Sequence, residues 1–189
     1  MVLIFIIGPP AVGKMAVGLE LAKLMGYKLL VNHDTIELAL KFFDYGSKKF
    51  NILNGSFRKR ILEEVASSDL KGLIYTYVAS LDLEEEKTYL DNVTHLFNQN
   101  GRSVYYVELE ADLSERLRRN RTKSRIEAKP SKKDRESSER NLLDLEKKYV
   151  LNSNEEYPFF YSKNYIKIDN TKRSPSEVAV QIINVFNLK

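Results

Sequence analysis

Cysteine and tryptophan are absent from this 189-residue chain, and histidine occurs only as His33 and His95. Without cysteine there is no disulfide, no thiolate metal site and no cysteine nucleophile. Two imidazoles 62 positions apart cannot build a three-histidine zinc centre in one chain, which argues against a metallohydrolase. Five prolines and eight glycines are too few for a low-complexity chain, and 43% apolar residues exclude wholesale disorder. Long hydrophobic runs are missing as well. Val2 to Ile7, the longest, has six residues where a bilayer span needs roughly 20. No Lys or Arg precedes that run and Gly8-Pro9-Pro10 ends it, so the expectation is a strand, not a signal peptide, with no membrane partner and a cytoplasmic location. The length suits a single domain over 1–189.

The net charge of +4 conceals an asymmetry. Between Arg116 and Arg140 stand 11 Lys or Arg and four acids, so this one segment carries +7 and the rest of the chain is slightly acidic. Such a segment suits the covering of an anion, or simply a solvated loop.

What the chain does have is alternation. Short apolar runs at Val2–Ile7, Lys28–Val31, Leu73–Val78, Val104–Leu109 and Tyr165–Ile168 read as strands. Helical periods lie between them at about 14–25, 35–43, 56–68, 84–99, 112–121, 133–148 and 175–187. This is the pattern of an α/β fold built on one parallel sheet. Asp34, Asp82, Asp112 and Ser174 each precede a glutamate by three residues and read as helix caps, with Pro175 at the first helical position of the last.

The segment Gly8-Pro9-Pro10-Ala11-Val12-Gly13-Lys14 follows the first strand and opens the first helix, the context that a GxxxxGK phosphate loop requires. Glycines let the backbone fold around an anion. The N–H groups of Ala11, Val12, Gly13, Lys14, Met15 and Ala16 then face phosphate oxygens, and the Lys14 ammonium reaches the outer phosphates. Pro9 and Pro10 have no N–H to offer. Met15 occupies the place where Ser or Thr normally supplies a hydroxyl to Mg²⁺, and Ala16 does not replace it. Magnesium must then be held through phosphate oxygens and water, with Asn32, Asp34 or Asp82 as more distant partners.

With Gly8 through Met15 reading GPPAVGKM, the sequence resembles the small P-loop kinases of the shikimate, gluconate and nucleoside monophosphate kinase group, and bacterial proteins described as shikimate-kinase-like AAA-family ATPases. The resemblance implies a three-layer P-loop NTPase fold, a five-stranded parallel sheet in the order 2-3-1-4-5, a helical lid at approximately 120–140, and transfer of the ATP γ-phosphoryl to a small acceptor bound at approximately 32–60. It carries Asp34 over as the carboxylate near the acceptor hydroxyl and Arg58, in Phe57-Arg58, as the grip on a substrate carboxylate. Asp34 with Glu37 reads equally as a capping box, and Arg58 as part of a solvated helix face. Ile61 stands where the group has a glutamate, and Val78-Ala79-Ser80 where it has three glycines, both departures from shikimate recognition. By the same resemblance, Arg119 and Arg125 are the lid arginines that meet the transferring phosphoryl group, and Gly8, Asn170, Thr171 and Pro175 belong to the nucleotide site.

The function expected is an ATP- and Mg²⁺-dependent phosphotransferase with an unidentified small-molecule acceptor. A nucleotide-binding protein without transfer is the alternative that Met15 motivates. A polynucleotide kinase using the basic segment ranks below both, because no aromatic residue interleaves that run. His33 and His95 read as surface or second-layer histidines, and Tyr75, Tyr77, Tyr105 and Tyr106 as core.

Overall fold

The computed structural model describes residues 1–122, 131 and 134–188. Five strands, β1 (Val2–Ile7), β2 (Lys28–Leu30), β3 (Gly72–Tyr77), β4 (Ser103–Glu110) and β5 (Tyr165–Asp169), form one sheet in the order β2-β3-β1-β4-β5. Every pairing is parallel, with Val2 opposite both Gly72 and Ser103. The P-loop NTPase order expected from the sequence is the one observed.

A parallel sheet covered on both faces needs apolar side chains at consecutive positions, which is why β1 reads as an unbroken run rather than an alternation. Leu3, Phe5 and Ile7 point into one core with Leu62, Leu90 and Phe97. Ile4 and Ile6 point into the other with Val17, Leu21, Val178 and Ile182. The helices follow from this division: α3 (Lys48–Ser67) and α4 (Glu84–Gln99) cover the first face, α1 (Lys14–Met25) and α7 (Pro175–Phe186) the second. α2 (Asn32–Ala39) buries Ile36 and Ala39 against Phe50 in a smaller cluster of its own. α5 (Leu113–Asn120) and α6 (Arg135–Lys148) flank the segment where the lid was expected. No described helix is long and apolar enough to cross a membrane.

Several helix starts differ from expectation. α3 begins at Lys48, not near 56, because Ser47 accepts the Phe50 N–H at 3.2 Å and the helix runs through Gly55 on an open surface. An interior glycine costs about 1 kcal/mol, too little to stop a helix whose other residues pack. α2 begins at Asn32, so Asp34 is its third residue; Asp34 Oδ2 accepts the Val31 N–H at 2.8 Å. Asp82 does not cap α4. Its Oδ1 accepts the Val150 N–H at 3.0 Å and ties the 149–164 segment to the head of α4. Ser174 is the full capping box expected, exchanging bonds with Glu177 at 2.8 and 3.3 Å. The tyrosines expected in the core are there for Tyr75, Tyr77 and Tyr106, while Tyr105 is half-buried against Phe186.

Candidate functional site

At the carboxyl ends of the strands lies a cleft of about 1460 Å³, bounded by the loop after β1, α2, the middle of α3, the end of β3, α5, α6 and the 170–175 loop. Open α/β sheets bind ligands at this edge, where the chain leaves successive strands in different directions.

The loop after β1 is a backbone nest. Gly8, Ala11 and Gly13 all have positive φ, at 139°, 62° and 111°. A Cβ on Gly8 would stand 2.3 Å from the Leu109 carbonyl oxygen, so only glycine fits where the loop crosses β4. No side chain caps α1 and its first turn contains no acid, in contrast to α3, α6 and α7, whose first turns are capped by Ser47, Asp134 and Ser174. The first α1 bond is Val17 N–H to Gly13 O at 3.0 Å, which leaves the N–H groups of Lys14, Met15 and Ala16 directed at the cleft. Together with the helix dipole they favour an anion. Lys14 folds back over the loop, its Nζ donating to Gly8 O and, at 2.8 Å, to Pro9 O.

Arg119 and Asn170 hold this nest to the opposite wall. Asn170, buried, donates from Nδ2 to Val12 O at 2.9 Å. Arg119 donates from Nη1 to Val12 O at 2.8 Å and Asn170 Oδ1 at 3.2 Å, from Nη2 to Asn170 O at 2.8 Å and Thr171 O at 3.2 Å, and from Nε to Glu115 at 2.7 Å. All five guanidinium hydrogens are thereby engaged. Thr171 turns onto Asp169 and accepts the Asp112 N–H at 3.0 Å, and Pro175 opens α7 on the cleft wall. Gly13, Asn170, Thr171 and Pro175 are thus gathered on one side of the cleft, and Arg119 straps the phosphate loop to the 170–171 loop with all its donors engaged.

The other described basic residues at the lid junction are also paired with acids. Arg116 is buried and meets Glu146 of α6 at 2.7 Å, and exposed Arg121 meets Glu139 at 2.8 Å. Arg118 forms a two-bond fork with Glu115 at 2.7 and 2.8 Å. Hydrogen bonds from Arg118, then Arg119, hold the Glu115 carboxyl down at about 2 against the opposing effect of burial. The basic run therefore stitches α5 to itself and to α6. Arg125 lies outside the described residues.

On the far side, between α2, α3 and the start of α4, is a second chamber of the same cleft. Asn51, Asn54 and Arg58 lie on one face of α3 and line it with Asn32, His33, Tyr77 and Glu86. Arg58 is anchored through Nε and Nη2, and Nη1 takes no part in these bonds. Its Nε donates to Thr35 Oγ1 at 3.1 Å, its Nη2 to Asn32 Oδ1 at 2.6 Å and Asn32 O at 3.3 Å, and the guanidinium lies 5.9 Å from the Tyr77 ring centre. His33 Nδ1 stands 3.6 Å from Glu37, which also accepts from Ser131. Burial raises the Glu86 carboxyl, with Glu85 adding to the effect; Tyr77 and Arg58 oppose it.

Asp34, expected beside the acceptor, does not line the cleft. It is exposed and its carboxylate closes the first turn of α2. Asp82 is likewise outside the cleft lining and occupied by Val150. Asn32 lines the cleft, but its Oδ1 serves Arg58. With Met15 after the lysine, the described residues offer no fit for direct protein ligation of magnesium, and no group of three or more His, Asp or Glu among them could hold a metal ion. With α3 expected from 56, the i, i+3, i+7 spacing of Asn51, Asn54 and Arg58 on one face is hidden, and Glu86, in the acidic first turn of α4, reads as an ordinary helix-start glutamate.

No protein-family model matches the chain, and no curated protein matches it. Solved structures do. Shikimate kinase from Acinetobacter baumannii in complex with shikimate is similar over 100% of this chain and 96% of its own, with 18% identity and a TM-score of 0.59. A gluconokinase from Sinorhizobium meliloti 1021 matches over 97% and 90%, at 13% identity and a TM-score of 0.56. The Mycobacterium tuberculosis APS kinase in complex with AMPPNP and APS matches over 98% and 97%, at 17% identity and a TM-score of 0.56. The chain has the fold of these P-loop kinases.

Proposed function

We propose that the protein is an ATP-dependent phosphotransferase that moves the γ-phosphoryl group to a small-molecule acceptor. The observation that carries this reading is the uncapped start of α1 and Lys14 opening into the same cleft as a separate polar chamber. One end of the cleft suits a polyphosphate, the other a small polar molecule, and the fold is shared with kinases of shikimate, gluconate and APS.

In this reading the α1 N–H groups and Lys14 take the β and γ phosphates, and Lys14 leaves the Gly8 and Pro9 carbonyls to do so. Asn170, Thr171 and Pro175 form the wall for the base. Phosphoryl transfer through a loose transition state asks mainly for alignment and charge stabilisation, and little of a base. That suits a site in which Asp34 serves α2. Any magnesium comes with the nucleotide, held by phosphate oxygens and water.

Calorimetric titration with a non-hydrolysable ATP analogue, with and without magnesium, tests the reading. Wild type binds, and Lys14→Ala weakens binding at least tenfold while keeping its unfolding temperature. No binding by wild type overturns the proposal. Met15 favours one other reading, a nucleotide-binding protein without transfer. Its mark is affinity indifferent to magnesium together with no ADP formed in the presence of any acceptor.

A further inference from the structure

The acceptor chamber holds two oxygen atoms in an unfinished state. Glu86 Oε2 and Asn54 Oδ1 are shut off from solvent without a hydrogen-bond partner. Unsatisfied buried acceptors cost about 1–3 kcal/mol each, more when charged, so a chain that keeps two of them beside one cleft invites explanation. Both residues line the chamber. Both adjoin Arg58: Asn54 lies one helical turn before it on α3, and Glu86 interacts with its charge. Arg58 itself is held by Asn32 and Thr35 and faces the Tyr77 ring. Two of the three Arg58 guanidinium nitrogens are thus committed to Thr35 and Asn32, and Glu86 lies within reach of its charge.

Resting on the phosphotransferase reading, we infer that the acceptor is a neutral carbohydrate-like polyol, whose hydroxyl groups donate to Glu86 and Asn54, and not a hydroxy acid. Each hydroxyl supplies the donor that one of these oxygens lacks, after a rotamer change that turns it to the cleft its residue already lines. A polyol adds no charge beside the Glu86–Arg58 pair. A carboxylate would bring a second acidic group into a chamber that Glu86 already lines, and would give neither Glu86 nor Asn54 a donor.

The test measures ADP formation and phosphorylated product for wild type with ATP and magnesium, using D-glucose, myo-inositol and D-ribose against D-gluconate and shikimate. At least one neutral polyol is expected to exceed both acids by tenfold or more in kcat/KM. Glu86→Leu and Asn54→Leu, each checked to be folded by its unfolding temperature, are expected to lower that polyol's kcat/KM about tenfold or more, the scale of one lost hydrogen bond to a buried group. Preference for gluconate or shikimate overturns the inference. So do unchanged kinetics in both variants, or a wild type that binds the ATP analogue yet neither binds nor phosphorylates any of the three polyols. Failure to bind the ATP analogue at all is a separate result, and it removes the phosphotransferase reading itself.

Discussion

Arg119 shows how a side chain in the expected place can have a different task. A lid arginine that stabilises a transferring phosphoryl group would have to give up existing partners to do so, and Arg119 has all five donors committed to Glu115, Val12, Asn170 and Thr171. Arg119→Lys keeps the charge but loses the planar fork that reaches Val12, Asn170 and Thr171 together. It is expected to lower unfolding free energy in urea by about 2 kcal/mol and to weaken ATP-analogue affinity, because the nest loses its brace. A catalytic finger would give the opposite pattern, normal stability with turnover reduced by about 10³ or more. Asp34 makes the complementary case. Asp34→Ala is expected to cost about 1 kcal/mol of stability by uncapping α2 while leaving phosphoryl transfer intact. Loss of transfer with unchanged stability would return Asp34 to the acceptor site. Glu86 titrates against the fold: its pKa is raised, so the native state holds the proton more tightly than the unfolded chain. Stability from this group is present below the unfolded carboxylate pKa and declines as pH rises through the native one. Glu86→Gln, which cannot ionise, should therefore melt higher than wild type at pH 7, with the gap closing towards pH 4.

Elements were legible where a periodic pattern and a local signal agreed. The five strands fell within a residue or so of their expected ends, because each is an apolar run bounded by polar or turn residues. The start of α7 was legible because Ser174, Pro175 and Glu177 all report the same cap. The starts of α2 and α3 differ from expectation because a D-x-x-E spacing does not reveal which backbone N–H the carboxylate will satisfy, and because the Ser47 cap of α3 has no glutamate three residues on to mark it. The acceptor wall on α3 was lost with that boundary. At α5 the sequence displays a row of arginines but not their partners, since Glu139 and Glu146 arrive from α6 and only the fold brings them near. Glu115 is the acid-sensitive member of this arrangement. Its pKa is depressed, so its contribution is complete above the usual carboxylate range and fades as pH falls through about 2. Urea unfolding followed from pH 5 to pH 2 should show a loss of stability that Glu115→Gln lacks, since the amide has no charge to be neutralised. Equal pH slopes for the two proteins would mean that the α5 fork is solvated and adds nothing.

At the scale of the molecule, the sheet sets the chemistry by separating two tasks along one edge. β1 delivers the phosphate nest at the centre, β5 delivers the Asn170 wall on one side, and β3 with α3 and α4 delivers the acceptor chamber on the other. The aromatic group of Phe159, Tyr161 and Tyr165 lies on Tyr106, and buried Glu108 accepts from Ser153 N–H and Tyr165, so the 149–164 segment is anchored to the β4–β5 side of the sheet. This division predicts where a nucleotide changes local stability. The amides of Met15 and Ala16 precede the first α1 bond, Val17 N–H to Gly13 O, so in the free protein they exchange with solvent hydrogen at a rate set by exposure, not by helix opening. An ATP analogue that seats its phosphates there gives them acceptors, and their exchange should slow by tenfold or more, together with that of the 170–175 loop to which Arg119 and Asn170 tie the nest. Residues 157–165 do not line the cleft and should exchange as before. Slowing spread evenly over the chain would indicate global stabilisation by ligand. Slowing confined to 157–165 would place the nucleotide outside the cleft.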